Sequence, residues 1–186
     1  MTRLDIHKPD FIIRRYQDAG GAHGLEAALD GIFFESSNTK NFASDEARAA
    51  FRERWLGRYL EHDPQWTYVA HLKEGRVAGY LAGSLSDPAL TARFSDIGYF
   101  ADFKALTQKY PAHLHVNLTS DARGLGIGGA LLQRFVADAG RAGAKGVHVV
   151  TSRGARNVGF YERNGFSERG ALGEGAREVV FLGRAL

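Results

Sequence analysis

The sequence predicts an α/β protein of the mixed, α+β kind: a mixed central sheet of about seven strands flanked by about four helices. Three observations predict it. Segments with strand periodicity and segments with helical periodicity follow one another in the order βααβββαβαββ, which calls for a sheet with helices packed on it. One segment, GVHVVTS (146–152), is nearly all apolar, as in a strand buried on both faces. No Pro/Gly/Ser-rich linker, repeat or low-complexity stretch interrupts the 186 residues, so residues 1–186 are expected to form a single domain.

FIIRRYQ (11–17) is β-branched and aromatic and predicts the first strand. Residues 21–34 and 44–61 predict helices. In the second, Ser44 stands at the N-cap, Asp45 and Glu46 fill the first turn, and Ala47, Phe51, Trp55, Leu56, Tyr59 and Leu60 recur at helical spacing. Residues 65–85 predict a hairpin turning at Lys73–Glu74–Gly75–Arg76. Residues 86–110 are irregular and aromatic, with Phe94, Tyr99, Phe100, Phe103 and Tyr110, and hold at most a short helix near 100–108. Such a connection is either a lid or binding loop, or a packed excursion with its own apolar cluster.

HLHVNLTS (113–120) predicts a strand with Leu114, Val116 and Leu118 on one face and His113, His115 and Asn117 on the other. A helix follows to about residue 142, with Leu131, Phe135 and Ala139 in one row and Leu132 and Val136 in another. After the apolar strand, ARNVGFYERNGF (155–166) predicts a helix capped by Gly165. Two short strands, at about 166–170 and 176–184, close the chain.

Composition narrows the function. There is no cysteine, which removes disulfides and thiolate chemistry and suits the cytoplasm. Residues 1–10, MTRLDIHKPD, lack the apolar stretch of a signal peptide, and no run of about 18 apolar residues predicts a membrane span. The net charge of +3 is unevenly spread: residues 1–122 carry 14 basic and 16 acidic side chains, and residues 123–186 carry 10 and 5. A basic C-terminal third suits an anionic ligand or is simply a solvated surface. Without a run of like charges, nucleic acid is not expected as a partner.

The sharpest local signal is DARGLGIGGAL (121–131). Gly124, Gly126, Gly128 and Gly129 crowd the start of a helix, where each glycine costs roughly 1 kcal/mol against alanine. A strand, a glycine-dense turn and a helix start together make an anion site. The first helical amides have no intrahelical acceptor, the macrodipole is positive there, and missing Cβ atoms let phosphate oxygens reach the backbone. A Walker A loop would need Gly-Lys-Ser/Thr, and Gly128–Gly129–Ala130 stands instead. Gly124, Gly126 and Gly129 spell the dinucleotide fingerprint, but no carboxylate follows about 20 residues on; Arg153 would suit only the 2′-phosphate of NADP.

Arg123–Gly124–Leu125–Gly126–Ile127–Gly128 resembles the R/Q-x-x-G-x-G/A pyrophosphate motif of the GNAT superfamily of acetyl-CoA-dependent N-acyltransferases. Asn157, Phe160–Tyr161–Glu162 and Gly165–Phe166 resemble that family's N-x-x-[A/G]-x-x-[F/L]-Y-E-x-x-G-F block, at the right distance from the first motif. More finely, HLHVNL and GVHVV are similar to the acetyltransferase-like domain of O-GlcNAcase and its free-standing bacterial relatives.

The resemblance implies the GNAT fold, acetyl-CoA as co-substrate, and transfer of acetyl to a primary amine by direct attack in a ternary complex. The acceptor would be a small-molecule amine, a protein lysine or an N-terminus. It implies that the diphosphate sits on residues 124–129, including Leu125, Ile127 and Gly129, with Arg123 nearby. Backbone near Val116, Asn117 and Leu118 would pair with pantetheine, and Asn157 and Phe160 would line the cofactor. Tyr161 would protonate the departing thiolate. Many relatives carry a strand glutamate near the position of Ala112 and this chain does not, so His113, His115 or Asn117 is left to activate the amine. His113, His115 and His148 have the spacing to converge on a metal, but no acidic ligand is near, so no metal is expected. The acceptor pocket is expected from 35–43 and 86–110. Two rival readings are a non-catalytic acyl-CoA-binding or partner-docking domain and an NADP-dependent reductase. A monomer or homodimer is expected.

Overall fold

Seven strands form one sheet in the computed structural model, which describes residues 10–19 and 24–186. They are β1 (Phe11–Arg15), β2 (Tyr68–Leu72), β3 (Val77–Ser84), β4 (Ala112–Leu118), β5 (Gly146–Ser152), β6 (Ser167–Leu172) and β7 (Val179–Ala185). Their order in the sheet is β1-β2-β3-β4-β5-β7-β6. β4 and β5 are parallel, whereas β1–β2, β2–β3, β5–β7 and β6–β7 are antiparallel, so the sheet is mixed as predicted. The β4–β5 register joins Ala112 to Val147 and His113 to His148 and goes no further, although each strand has seven residues.

The chain divides into two compact units, Met1–Leu81 with Val116–Leu131, and Ala82–His115 with Leu132–Leu186. The first contains α1 (Leu25–Ser36), α2 (Asp45–Arg52) and α3 (Arg58–His62), the last two joined by a π turn at Glu53–Gly57. The Ala47 N–H donates to Ser44 Oγ at 3.2 Å, the predicted cap. The core of this unit is Leu29, Leu56, Tyr59, Tyr68, Tyr80 and Leu81, all fully buried. The first strand is shorter than FIIRRYQ predicts. It stops at Arg15 because the chain turns at Tyr16, whose N–H donates to Thr67 O and whose hydroxyl donates to Glu26 Oε1. The first helix runs from Leu25 to Ser36 rather than 21–34; residues 21–23 lie outside the described residues, as does nearly all of the stretch read for a signal peptide.

The second unit contains α4 (Tyr99–Asp102), α5 (Lys104–Thr107) and α7 (Asn157–Arg163), and α6 (Ile127–Arg141) begins in the first unit and continues in this one. Residues 86–110 are packed rather than splayed as a lid. Phe94, Ile97, Phe100 and Phe103 are all buried, and Phe103 meets Phe181 of β7 at 5.2 Å between ring centroids. The short helix expected near 100–108 is two single turns broken at Phe103. With these two turns the helices exceed the four predicted. α7 is shorter than 155–166 but ends as the sequence indicates. Gly165 has φ +84°, its N–H donates to Glu162 O, and the Phe166 N–H donates to Tyr161 O. That double bond pattern is the Schellman motif, and the Phe166 and Tyr161 rings meet at 5.5 Å to complete it. Among the described residues no helix is long and apolar enough to cross a membrane.

Candidate active site

In the first unit, β4 leads straight into the glycine loop. The Thr119 N–H donates to Ala78 O, a 3-10 turn spans Ser120–Ala122, and the Arg123 N–H closes onto Ser120 O. Gly124 and Gly126 then take φ +79° and +85°, a left-handed backbone that costs any L-residue roughly 1–2 kcal/mol. A Cβ at either position would meet nothing within 4 Å, so this backbone faces open space. The Ala130 N–H donates to Gly126 O, which makes Gly126 the N-cap of α6. The N–H groups of Ile127, Gly128 and Gly129 therefore have no intrahelical acceptor. Ile127 is fully buried and pins the helix start, while Arg123, Gly124 and Gly126 are exposed and Leu125 is half-buried. The loop's carboxylate, Asp121, is paired with Arg76 at 2.8 Å, which offsets its charge beside the glycine loop. Arg123 reaches back to donate to Leu118 O at 3.4 Å.

The end of β4 is fixed from two sides. The Ser36 hydroxyl donates to Leu118 O at 3.3 Å. Gly79 of β3 lies so close that a Cβ there would stand 2.7 Å from Asn117 O and 2.3 Å from a Leu118 methyl. The Asn117 Nδ2 donates to the Tyr80 hydroxyl at 2.9 Å. In the same unit, Lys40, Asn41, Phe42, Ser44, Asp45 and Arg48 line a hollow of about 450 Å³ beside the predicted acceptor loop. Arg48 sits 3.6 Å above the Phe34 ring.

In the second unit, Asn157 opens α7, and the Thr151 hydroxyl donates to its Oδ1 at 2.9 Å. Tyr161, one helical turn on, is buried between Phe160 (5.1 Å) and Phe166 (5.5 Å). Burial pushes its phenol above the ordinary value, so it is protonated at neutral pH. His113 is buried in an aromatic cage: Phe94 is edge-on at 4.7 Å, Phe100 lies at 5.7 Å, and His148 is stacked at 5.6 Å. His148 in turn stacks on Phe181 at 4.5 Å and its Nδ1 donates to Tyr110 O. Burial lowers all three histidines: His115 and His148 to about 4, and His113 well below its ordinary value, helped by the charges of His148, His115 and Arg93. Among the described residues no group of three His, Asp or Glu side chains is arranged to hold a metal.

Arg153, the arginine that a 2′-phosphate would need, is already committed. It donates to both oxygens of Glu168 at 2.9 and 3.2 Å and is paired with Glu178 at 2.7 Å. Sequence reasoning did not find Tyr80, Gly79 or Thr151. Each acts through a partner on another element, and only the isolated Gly79 inside a strand pattern hints at a close backbone approach.

The profile of the Acetyltransferase (GNAT) family matches residues 32–166. Among solved structures, SsHAT superposes with a TM-score of 0.72 at 20% identity, covering 95% of this chain and 98% of that one. An N-acetyltransferase from Staphylococcus aureus Mu50 gives 0.62 at 17%, covering 95% and 98%. The NatC complex bound to Gag peptide and CoA gives 0.62 at 12%, covering 95% and 99%. These likenesses carry the fold, and the family match carries the membership: the strand, glycine loop and helix described above are those of a chain that belongs to the GNAT family of acetyltransferases, which use acetyl-CoA.

Proposed function

We propose that this chain transfers acetyl from acetyl-CoA to a primary amine by direct attack in a ternary complex. The observation that carries the reading is the opening of α6, where two left-handed glycines face open space and three helical amides have no intrahelical acceptor. The diphosphate of coenzyme A binds there, on Gly124–Gly129, with Arg123 adding positive charge. Val116 and Asn117 supply the main chain that pairs with pantetheine, and Asn157 and Phe160 are cofactor residues by their resemblance to the family's second motif.

In the transfer, the amine lone pair forms the N–C bond at the thioester carbonyl and the C–S bond breaks. Tyr161 donates its proton to the leaving thiolate, and its raised pKa keeps that proton in place until negative charge develops on sulfur. The excess proton on nitrogen leaves through His115, which burial keeps neutral. His113 is caged by aromatic rings and serves the core better than it serves the amine. The hollow at Lys40–Arg48 receives the acceptor, a small amine or a lysine or N-terminus of a protein. HLHVNL and GVHVV favour the branch that includes the acetyltransferase-like domain of O-GlcNAcase, within a cytoplasmic protein.

The lowered basicity of His115 favours one second reading, an acyl-CoA-binding domain without turnover. The NADP reading loses its support in the Arg153 ion pairs. Thermal unfolding with acetyl-CoA and with NADPH separates these, since a ligand above its Kd raises the midpoint by mass action. A rise with acetyl-CoA alone, together with CoA release across a panel of amines, supports transfer. A rise without release selects binding only, and a rise with NADPH alone overturns both.

A further inference from the structure

Tyr80 is a fully buried core side chain of β3 whose hydroxyl nonetheless has a specific polar partner, the Asn117 amide. Resting on the acetyl-transfer reading above, we propose that Tyr80 is a positioning residue: it fixes the Asn117 side chain so that Asn117 Oδ1 accepts an N–H of the attacking amine.

The geometry restrains Asn117 twice. Its Nδ2 donates to the phenol oxygen at 2.9 Å, and its main chain is held against Gly79, where a Cβ would stand 2.7 Å from Asn117 O. With Nδ2 engaged, the remaining polar atom of the side chain is Oδ1, an acceptor with no proton to give. The phenol that holds it is fixed by its full burial in the core. Asp30 of α1 and Arg52 of α2 act on the Tyr80 hydroxyl electrostatically. Arg52 Nε donates to Asp30 Oδ1 at 2.7 Å, Arg52 also pairs with Glu26 at 3.3 Å, and Glu26 accepts from the Tyr16 hydroxyl at 2.9 Å. The Tyr16, Glu26, Asp30 and Arg52 groups thus form one polar cluster and the Tyr80–Asn117 bond lies apart from it, all inside the first unit.

An amide oxygen suits this task better than a carboxylate. A carboxylate would stabilise the ammonium form, which has no lone pair to attack. Asn117 Oδ1 carries no net charge, orients one N–H, and opposes the positive charge that grows on nitrogen as the N–C bond forms. Asn117 accepts a hydrogen bond throughout and never takes the proton.

Hydroxylamine is the probe, because it carries the N–H and lone pair and needs no acceptor pocket. Release of CoA from acetyl-CoA and formation of acetohydroxamate are followed above the uncatalysed background, with acetyl-CoA affinity measured by calorimetry. Tyr80→Phe, which keeps the ring in the core, is expected to lower kcat about tenfold with acetyl-CoA affinity unchanged. Asn117→Ala is expected to match it, and the double variant to be no slower than Asn117→Ala alone. Asn117→Asp keeps an acceptor oxygen and is expected to outperform Asn117→Ala, a comparison that does not depend on the core tolerating Tyr80→Phe. Wild-type turnover with Asn117→Ala and Asn117→Asp both at the wild-type rate overturns the proposal alone, as does a double variant whose loss is the product of the single losses. Acetyl-CoA binding without wild-type turnover overturns the acetyl-transfer reading, and this proposal with it.

Discussion

The imidazole rings of His113 and His148 face one another across the parallel β4–β5 pair, stacked with centroids 5.6 Å apart and 29° between their planes. Around them stand Phe94 and Phe100 from the aromatic excursion, Phe181 from β7, and the charge of Arg93; His115 lies two residues from His113 on the same strand. Both rings are buried, which disfavours a second proton on either, and among the described residues His148 Nε2 has no hydrogen-bond partner.

Acid should therefore unfold the protein over a defined window. An unfolded histidine titrates near 6.5, whereas folded His148 and His115 titrate at about 4. Above pH 6.5 both states are neutral and stability is at its full value. Between 6.5 and 4 the unfolded chain takes up protons that the folded one refuses, and stability falls by up to ~3 kcal/mol for a fully buried histidine such as His148. Denaturant melts at pH 7.5, 6.0 and 5.0 should show the loss. His148→Phe, which keeps a flat ring against Phe181, should give a shallower profile.

Tyr161→Phe keeps the packing against Phe160 and Phe166 and removes only the hydroxyl. On an acceptor that the wild type uses, kcat should fall about 10–10³-fold, the range for a lost general acid, with acetyl-CoA affinity nearly unchanged. Steady-state kinetics beside calorimetry measures both; an unaltered kcat takes Tyr161 out of the chemistry.

Gly79→Ala should cost about 1–3 kcal/mol, the usual range for overpacking, because a methyl group there would overlap Asn117 O and a Leu118 methyl. Thermal melts should show a lower midpoint, and acetyl-CoA binding should weaken as β4 shifts. A midpoint equal to wild type would mean that β3 and β4 can part without loss.

Local signals carried the sequence reading far, and distant pairings marked its edge. Ser44 capped its helix and Gly165 closed α7 because a cap is decided by residues three or four apart. The glycine loop was legible for the same reason: strand, turn and helix start lie within a dozen residues. The π turn at Glu53–Gly57 was not, since Trp55, Leu56, Tyr59 and Leu60 fit an unbroken helix equally well. Whether Phe94, Phe100 and Phe103 formed a lid or a core depended on Phe181 and His148, far along the chain. The Asn117–Tyr80 contact and the Arg153 ion pairs with Glu168 and Glu178 likewise join residues that no periodicity connects.

The proposed grip of the α6 amides on the coenzyme A diphosphate is tested most directly by calorimetric titration of acetyl-CoA into wild type, Gly126→Ala and Gly126→Glu. Both variants strain the same left-handed residue, φ +85°, but only glutamate sets a carboxylate at the proposed phosphate position. Wild type should bind, alanine should bind more weakly, and glutamate should lose binding altogether. Glutamate binding as tightly as alanine would contradict the site.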